Sequence, residues 1–137
     1  MPDGTRHDAR ERALGLLYEA ESKGTTPAEV VAALPVAPDT YAADVVVGVG
    51  THMDAIDELL RRFARNWDLE RMPSLDRAVL RMATYELAHR PDVPRNVVLN
   101  EAVELAKTFS TEGSGRFVNG MLSRIADEVR PPTAADA

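Results

Sequence analysis

An all-α fold of about six or seven helices in two small packed bundles is predicted by three observations. Apolar residues recur at helical spacing along most of the 137-residue chain, strand-like alternation is almost absent, and residues that start and stop helices punctuate the pattern. Asp3 or Thr5 can cap a first helix reaching to about residue 22. Its Ala9, Ala13, Leu16, Leu17 and Ala20 fall on one face at 100° per residue, and Lys23 and Gly24 suit its C-terminus. Thr26, with Pro27 and Glu29 behind it, opens a short second helix. The turn Leu34-Pro35-Val36-Ala37-Pro38 divides an N-terminal half, about 5–37, from a C-terminal half, about 38–130.

Asp39 or Thr40 caps the next helical pattern, in which Gly48 and Gly50 predict a bend or close packing. Thr51 restarts the pattern through Leu59, Leu60 and Phe63, and residues 66–72 read as a loop with a single turn. Ser74 is the expected cap of a helix running to about Arg90, with Asp76 meeting the unpaired amides of its first turn. Pro94 begins another, from Arg95 to Ser110. Residues 111–115 read as a loop, with Ser114 as cap of a last helix ending near Arg130; residues 133–137 read as a disordered tail. Residues 1–132 are thus expected to form one domain.

Composition narrows the function. The chain has no cysteine, so disulfides and cysteine-based metal or redox sites are excluded. No apolar run approaches the roughly 20 residues that span a bilayer, and no secretory segment opens the chain; a soluble cytoplasmic protein is expected. Net charge is -6, from 16 basic and 22 acidic side chains, so nucleic-acid affinity would have to reside in a local patch. All but Lys23 and Lys107 of the basic residues are arginines, the cation suited to bidentate phosphate contact and stacking. His7, His52 and His89 lack metal-ligand spacing, and neither a nucleophile elbow nor a nucleotide cradle is present. No catalytic activity, metal or cofactor is expected.

What remains is a binding constellation. Arg6, Arg10, Leu14 and Tyr18 are spaced four apart and form one slowly drifting ridge. On the last helix Phe117 and Met121 edge the apolar stripe, Arg124 lies beside that edge, and Arg116 follows the Ser114 loop. Arginine on phosphate and a ring on a base is the chemistry of single-stranded RNA recognition, while rings at a core edge are also ordinary packing. Glu86 falls in the middle of the apolar arc of its helix; a buried carboxylate there must be paired, by backbone amides or by an arginine such as Arg90.

Several blocks together resemble the transcription antitermination factor NusB family: residues 9–14 leading to Leu17-Tyr18, residues 76–81 with Tyr85-Glu86-Leu87, residues 92–94 and 98–107, and residues 117–122. The resemblance covers roughly residues 5–130. It implies two helical bundles and a non-catalytic role: binding the single-stranded boxA element of ribosomal RNA leader transcripts jointly with the ribosomal protein NusE, within an RNA polymerase antitermination complex. Position by position, it implies RNA contacts at Arg6, Arg10, Arg12, Tyr18, Ser114, Arg116 and Phe117, and a NusE contact at Asp76. The chain departs from the family where Asp3, Asp8 and Glu11 offset the N-terminal arginines, and where Gly113 precedes Ser114 in place of the acid some members carry. A protein-interaction module that binds NusE or forms a homodimer, with little RNA affinity, is the competing expectation.

Overall fold

The computed structural model describes residues 5–65 and 68–131; the expectations for Asp3 and for the tail at 133–137 fall outside them. Among the described residues the chain is helical throughout: α1 (Arg6–Lys23), α2 (Pro27–Ala32), α3 (Thr40–Thr51), α4 (Met53–Phe63), α5 (Ser74–His89), α6 (Arg95–Phe109) and α7 (Glu112–Val129), with a 3-10 turn at Leu69–Arg71 before α5. The local chemistry behind these starts is visible. Thr5 accepts from the Asp8 amide while Asp8 accepts from the Thr5 amide, a reciprocal cap; Thr26 and Glu29 do the same for α2. Asp39 accepts from Tyr41 and Ala42 at the head of α3. Gly24 ends α1 in the left-handed region at φ 68°.

Two predicted caps move. Ser74 lies inside α5, which opens on Pro73 without a side-chain cap. The last helix starts a turn earlier than expected: Thr111 is the cap, and Ser114 is its reciprocal partner three residues on. The Thr111 hydroxyl, accepting from the Ser114 amide, offsets part of the cost of Gly113 and Gly115 in the first turn.

α5 is the axis of the molecule, packed by α1, α3, α4, α6 and α7, which is why all but a few of its residues are buried. α6 folds back from it, and α7 folds back from α6: Arg95 at the start of α6 pairs with Asp127 near the end of α7. Arg130 then closes the far end of α5 by donating to the carbonyls of Glu86, Leu87, Arg90 and Val93. α1 runs antiparallel to α5, since its early Arg10 meets Glu86 and its late Glu21 meets Arg77. α1 and α6 therefore run in the same direction.

Gly48 is a close-approach glycine. A Cβ there would lie 2.3 Å from the Tyr85 ring, so α3 reaches α5 only because position 48 has no side chain. Gly48→Ala is expected to cost about 1–3 kcal/mol or more, as overpacking in a close-packed interior does; urea denaturation measures it, and a loss within experimental error would show that the two helices can move apart freely.

Candidate RNA-binding face

The N-terminal ridge does not lie on one surface. Successive residues four apart drift by about 40°, so the ridge crosses the buried side of α1: Arg6 emerges on one flank, Arg10 and Leu14 are buried, and Tyr18 emerges about 120° away. Arg6 stands over the Tyr41 ring at 4.1 Å, facing α3, and sits 3.6 Å from Asp92. Arg12 is exposed on a third side of the helix. Asp8, one turn before it, is engaged with the Thr5 cap.

Arg10 requires a correction. It is 2% exposed, and its guanidinium makes a forked contact with Glu86: Nε donates to both carboxylate oxygens at 3.1 and 3.0 Å and Nη2 donates to Oε2 at 2.8 Å. Nη1 reaches Glu101 on α6 at 3.3 Å. Burial alone works against the Arg10 charge, but the hydrogen bonds and charge of Glu86 outweigh it and hold its pKa above the ordinary value. Its donors are spent inside the protein, not on phosphate. The partner expected for Glu86 is corrected with it. Arg90 turns outward to Asp44 and Asp92, and Glu86 takes Arg10 together with the Tyr41 hydroxyl, which donates at 2.5 Å. Burial first, then the Glu86 carboxylate, raises the Tyr41 pKa well above its usual value.

His7 extends this network to the surface, hydrogen-bonded to Glu101 at 2.9 Å and 3.0 Å from Glu11. The Glu101 hydrogen bond raises its pKa, outweighing the desolvation that works against the charge, and the Glu101 and Glu11 charges add to the rise. A histidine pKa raised in the folded state contributes stability below its unfolded value, lost as pH rises through the folded value. His7→Gln should thus be less stable than the parent chain near pH 6 and equal to it near pH 8.5 in paired thermal melts; an equal deficit at both would show that the charge is irrelevant.

The other predicted residues gather at the end of the bundle where α5 begins. Glu21, one turn beyond Tyr18, contacts Arg77; Ser114, one turn before Phe117, donates to Asp76 Oδ2 at 2.9 Å. Tyr18 and Phe117 are thus brought to one end through α5, not by packing of α1 on α7. Tyr18 is 45% exposed. Phe117 is half-buried against the core edge, and Arg116 beside it is exposed with no ion pair among the described residues. Arg124 lies two turns along α7 and donates to the Phe63 carbonyl at the end of α4 at 3.1 Å, so it serves the α4–α7 junction. Asp76, expected on a partner-facing surface, is 4% exposed and covered by Ser114. The central position of α5 is the cause.

One ring escaped the sequence reading. Phe109 ends α6 and is 43% exposed. Because α1 and α6 run in parallel from the Arg10–Glu101 contact, eight residues of each, about 12 Å, carry Tyr18 and Phe109 to the same level. The spacing of Phe109 continues the buried Ala102, Leu105 and Ala106 of α6, so spacing alone reads it as core. A groove of about 690 Å³ between α6 and α7 adjoins this end, lined by Lys107, Arg116, Asn100 and Asn119 with Glu104 and Glu112. Its depth depends on Gly115, where a Cβ would meet the Lys107 stem at 2.7 Å.

No helix among the described residues is long and apolar enough to cross a membrane. Comparison with known proteins places this geometry in context. The pattern of the family described as the NusB family matches residues 7–127. The transcription antitermination protein NusB of Sorangium cellulosum (strain So ce56) is 48% identical over 132 residues, covering 92% of this chain and 94% of that protein. The protein of the same name from Myxococcus xanthus (strain DK1622) is 45% identical over 139 aligned residues, covering 94% and 99%. Among solved structures, T. maritima NusB superposes with a TM-score of 0.84 at 34% identity, covering 93% of this chain and 94% of that one. A chain from a crystal structure of the antitermination factors NusB and NusE in complex with dsRNA superposes with a TM-score of 0.75 at 29% identity, covering 89% and 96%.

Proposed function

The chain belongs to the NusB family, and on that premise we propose that it is a transcription antitermination factor acting by binding, not by catalysis. Its ligand is single-stranded boxA-type RNA of ribosomal RNA leader transcripts, held jointly with the ribosomal protein NusE as part of the RNA polymerase antitermination complex. The observation that carries this reading is the gathering of Tyr18, Phe109, Phe117 and the exposed Arg116 at one end of the bundle. Rings that can stack and cations that can meet phosphate are what a single strand needs. With Arg10 consumed in the core, the cations left at this end are few, chiefly Arg116, Lys107 and the exposed Arg71 just before α5, with Arg6 and Arg12 on other flanks. RNA affinity of the protein alone is therefore weak, and a basic partner that adds its own surface raises it. A net charge of -6 suits association with such a partner, mainly through rate and orientation.

The test is a titration of boxA-containing and scrambled RNA with the protein alone and with NusE added. The expected result is weak binding alone, sequence preference with NusE, and a salt slope of about -0.7 per phosphate contact. Absence of any preference in the presence of NusE would end this reading. A second reading, self-association, is favoured by the apolar cleft of about 530 Å³ beside Pro27, Val47, Gly50 and Met53. Solution mass with and without RNA separates the two.

A further inference from the structure

We propose that the stacked imidazoles of His52 and His89 are a pH-operated clasp, which holds the corner between α3 and α4 on the last turn of α5 while neutral and releases it once both are protonated. His52 is the joint itself. It is the single residue between α3 and α4, at φ -107° and ψ 19°. Its backbone serves both helices: the amide donates to the carbonyls of Gly48 and Gly50, and the carbonyl accepts from the Ile56 amide at 2.9 Å. Its side chain does not cap α4. The ring lies instead against His89, with centroids 4.0 Å apart and planes 19° apart. Tyr85, one turn before His89, continues the ladder at 5.2 Å from His89 and 6.2 Å from His52. The same Tyr85 ring occupies the space over Gly48. The corner thus rests on three rings, two of which can take a proton.

The pair is open to protons and has no acid to compensate it. His89 is exposed and His52 half-buried, yet among the described residues neither imidazole makes a hydrogen bond or an ion pair. The acids on the elements around them are committed elsewhere. On α3, Asp44 is bound by Arg90 and the Tyr85 hydroxyl. On α4, Asp57 is bound by Arg81, while Asp54 and Glu58 are exposed. On α5, Glu86 is bound by Arg10 and Tyr41, and Asp92 beyond it by Arg90 and Arg6. Asp127 and Glu128 of α7 pair with Arg95 and Arg62. The C-terminal carbonyls of α5 would favour a charge on His89, but Arg130 already occupies those of Glu86, Leu87 and Arg90. One imidazolium on a neutral ring is tolerated; a second at this separation repels the first. Burial, and then the His52 charge, accordingly hold the His89 pKa below its ordinary value. Its sign is opposite to that of His7. A histidine pKa lowered in the folded state contributes stability that is present above the unfolded value, about 6.5, and lost as pH falls through the folded value.

The experiment follows the full-length protein by NMR between about pH 8 and pH 5, a range in which ordinary carboxylates stay charged. The ring protons of His52 and His89 are expected to titrate as a coupled pair, in two steps about one pH unit or more apart, the second well below 6.5. Amide exchange, corrected for its intrinsic pH dependence, reads the opening of the corner. Protection of residues 48–56 is expected to fall about tenfold from pH 7.5 to pH 5, the size of one unit of coupling, while that of residues 13–17 and 118–126 changes less than about twofold. His89→Phe keeps a stacking ring without its charge and should hold residues 48–56 equally at both pH values, as should His52→Phe. The titration of the parent protein decides the matter if a variant does not fold. Independent titration of the two rings near 6.5, equal protection of residues 48–56 at both pH values, or a loss that survives in both phenylalanine variants would overturn the proposal. So would an equal loss of protection along the whole chain, the mark of global acid unfolding.

Discussion

Arg10→Ala is expected to destabilise the fold by about 3–5 kcal/mol, because it leaves the Glu86 carboxylate buried with only the Tyr41 hydroxyl for company. Both side chains of the ion pair are 3% exposed, so solvent does not rescue the orphan. Arg10→Lys should recover little, since an ammonium cannot reproduce the fork that spans both Glu86 oxygens and Glu101. Replacing the pair with apolar residues of similar volume, Arg10→Met with Glu86→Leu, should recover much of the loss, as buried pairs often break even against good packing. Urea denaturation of the four proteins measures this. Under conditions where Arg10→Ala is still folded, its RNA affinity should show an unchanged salt slope. A slope smaller by about 0.7 with stability intact would return Arg10 to the RNA face.

Phe117→Ala is expected to weaken single-stranded RNA binding by about 1–3 kcal/mol, roughly five- to 150-fold, if one base stacks on the ring. The ring also packs against the core edge, so stability must be separated from stacking. Phe117→Leu retains apolar volume without a π-face and should lose RNA affinity with little change in melting, while Phe117→Tyr should keep both. If Leu and Tyr behave alike in RNA titrations, the ring is packing alone. Arg116→Ala, by contrast, should weaken binding uniformly across sequences and reduce the salt slope, as a phosphate contact does.

The helices were legible wherever a short-range rule governed them. Thr26, Pro27 and Glu29 specify the start of α2 within four residues, and Asp39 that of α3. Thr111 was misread because two hydroxyls three residues apart can each be read as the cap, and the glycines on either side of Ser114 argued for a loop; the reciprocal pair needs both. Glu86 was legible as a buried acid because its position on the wheel depends only on its own helix. Its partner was not, since Arg10 is 76 residues distant and nothing local distinguishes it from Arg90, one turn away. The binding face suffered most. A ridge of residues four apart looks continuous in one dimension, but its 40° drift per step carried Arg10 and Leu14 under α5 and left Arg6 and Tyr18 on different flanks. Phe109 was missed because its helical spacing continues the buried Ala102, Leu105 and Ala106, while the structure leaves it 43% exposed.

Taken together, the burial of Arg10 and the gathering of rings move the centre of the site from the N-terminal arginines to the end of the bundle where α5 begins. Asp76, Ser114 and Phe117 line a cleft at that end, and Tyr18 and Phe109 are exposed at the same level. NMR chemical-shift mapping of the isotope-labelled protein titrated with boxA-type single-stranded RNA tests this most directly. The predicted result is a contiguous set of shifts at Tyr18, Phe109 and residues 113–117, with the amides around Arg10 and Glu86 unmoved. Shifts centred instead on Arg6, Arg10 and Arg12, leaving the 113–117 turn unchanged, would contradict it.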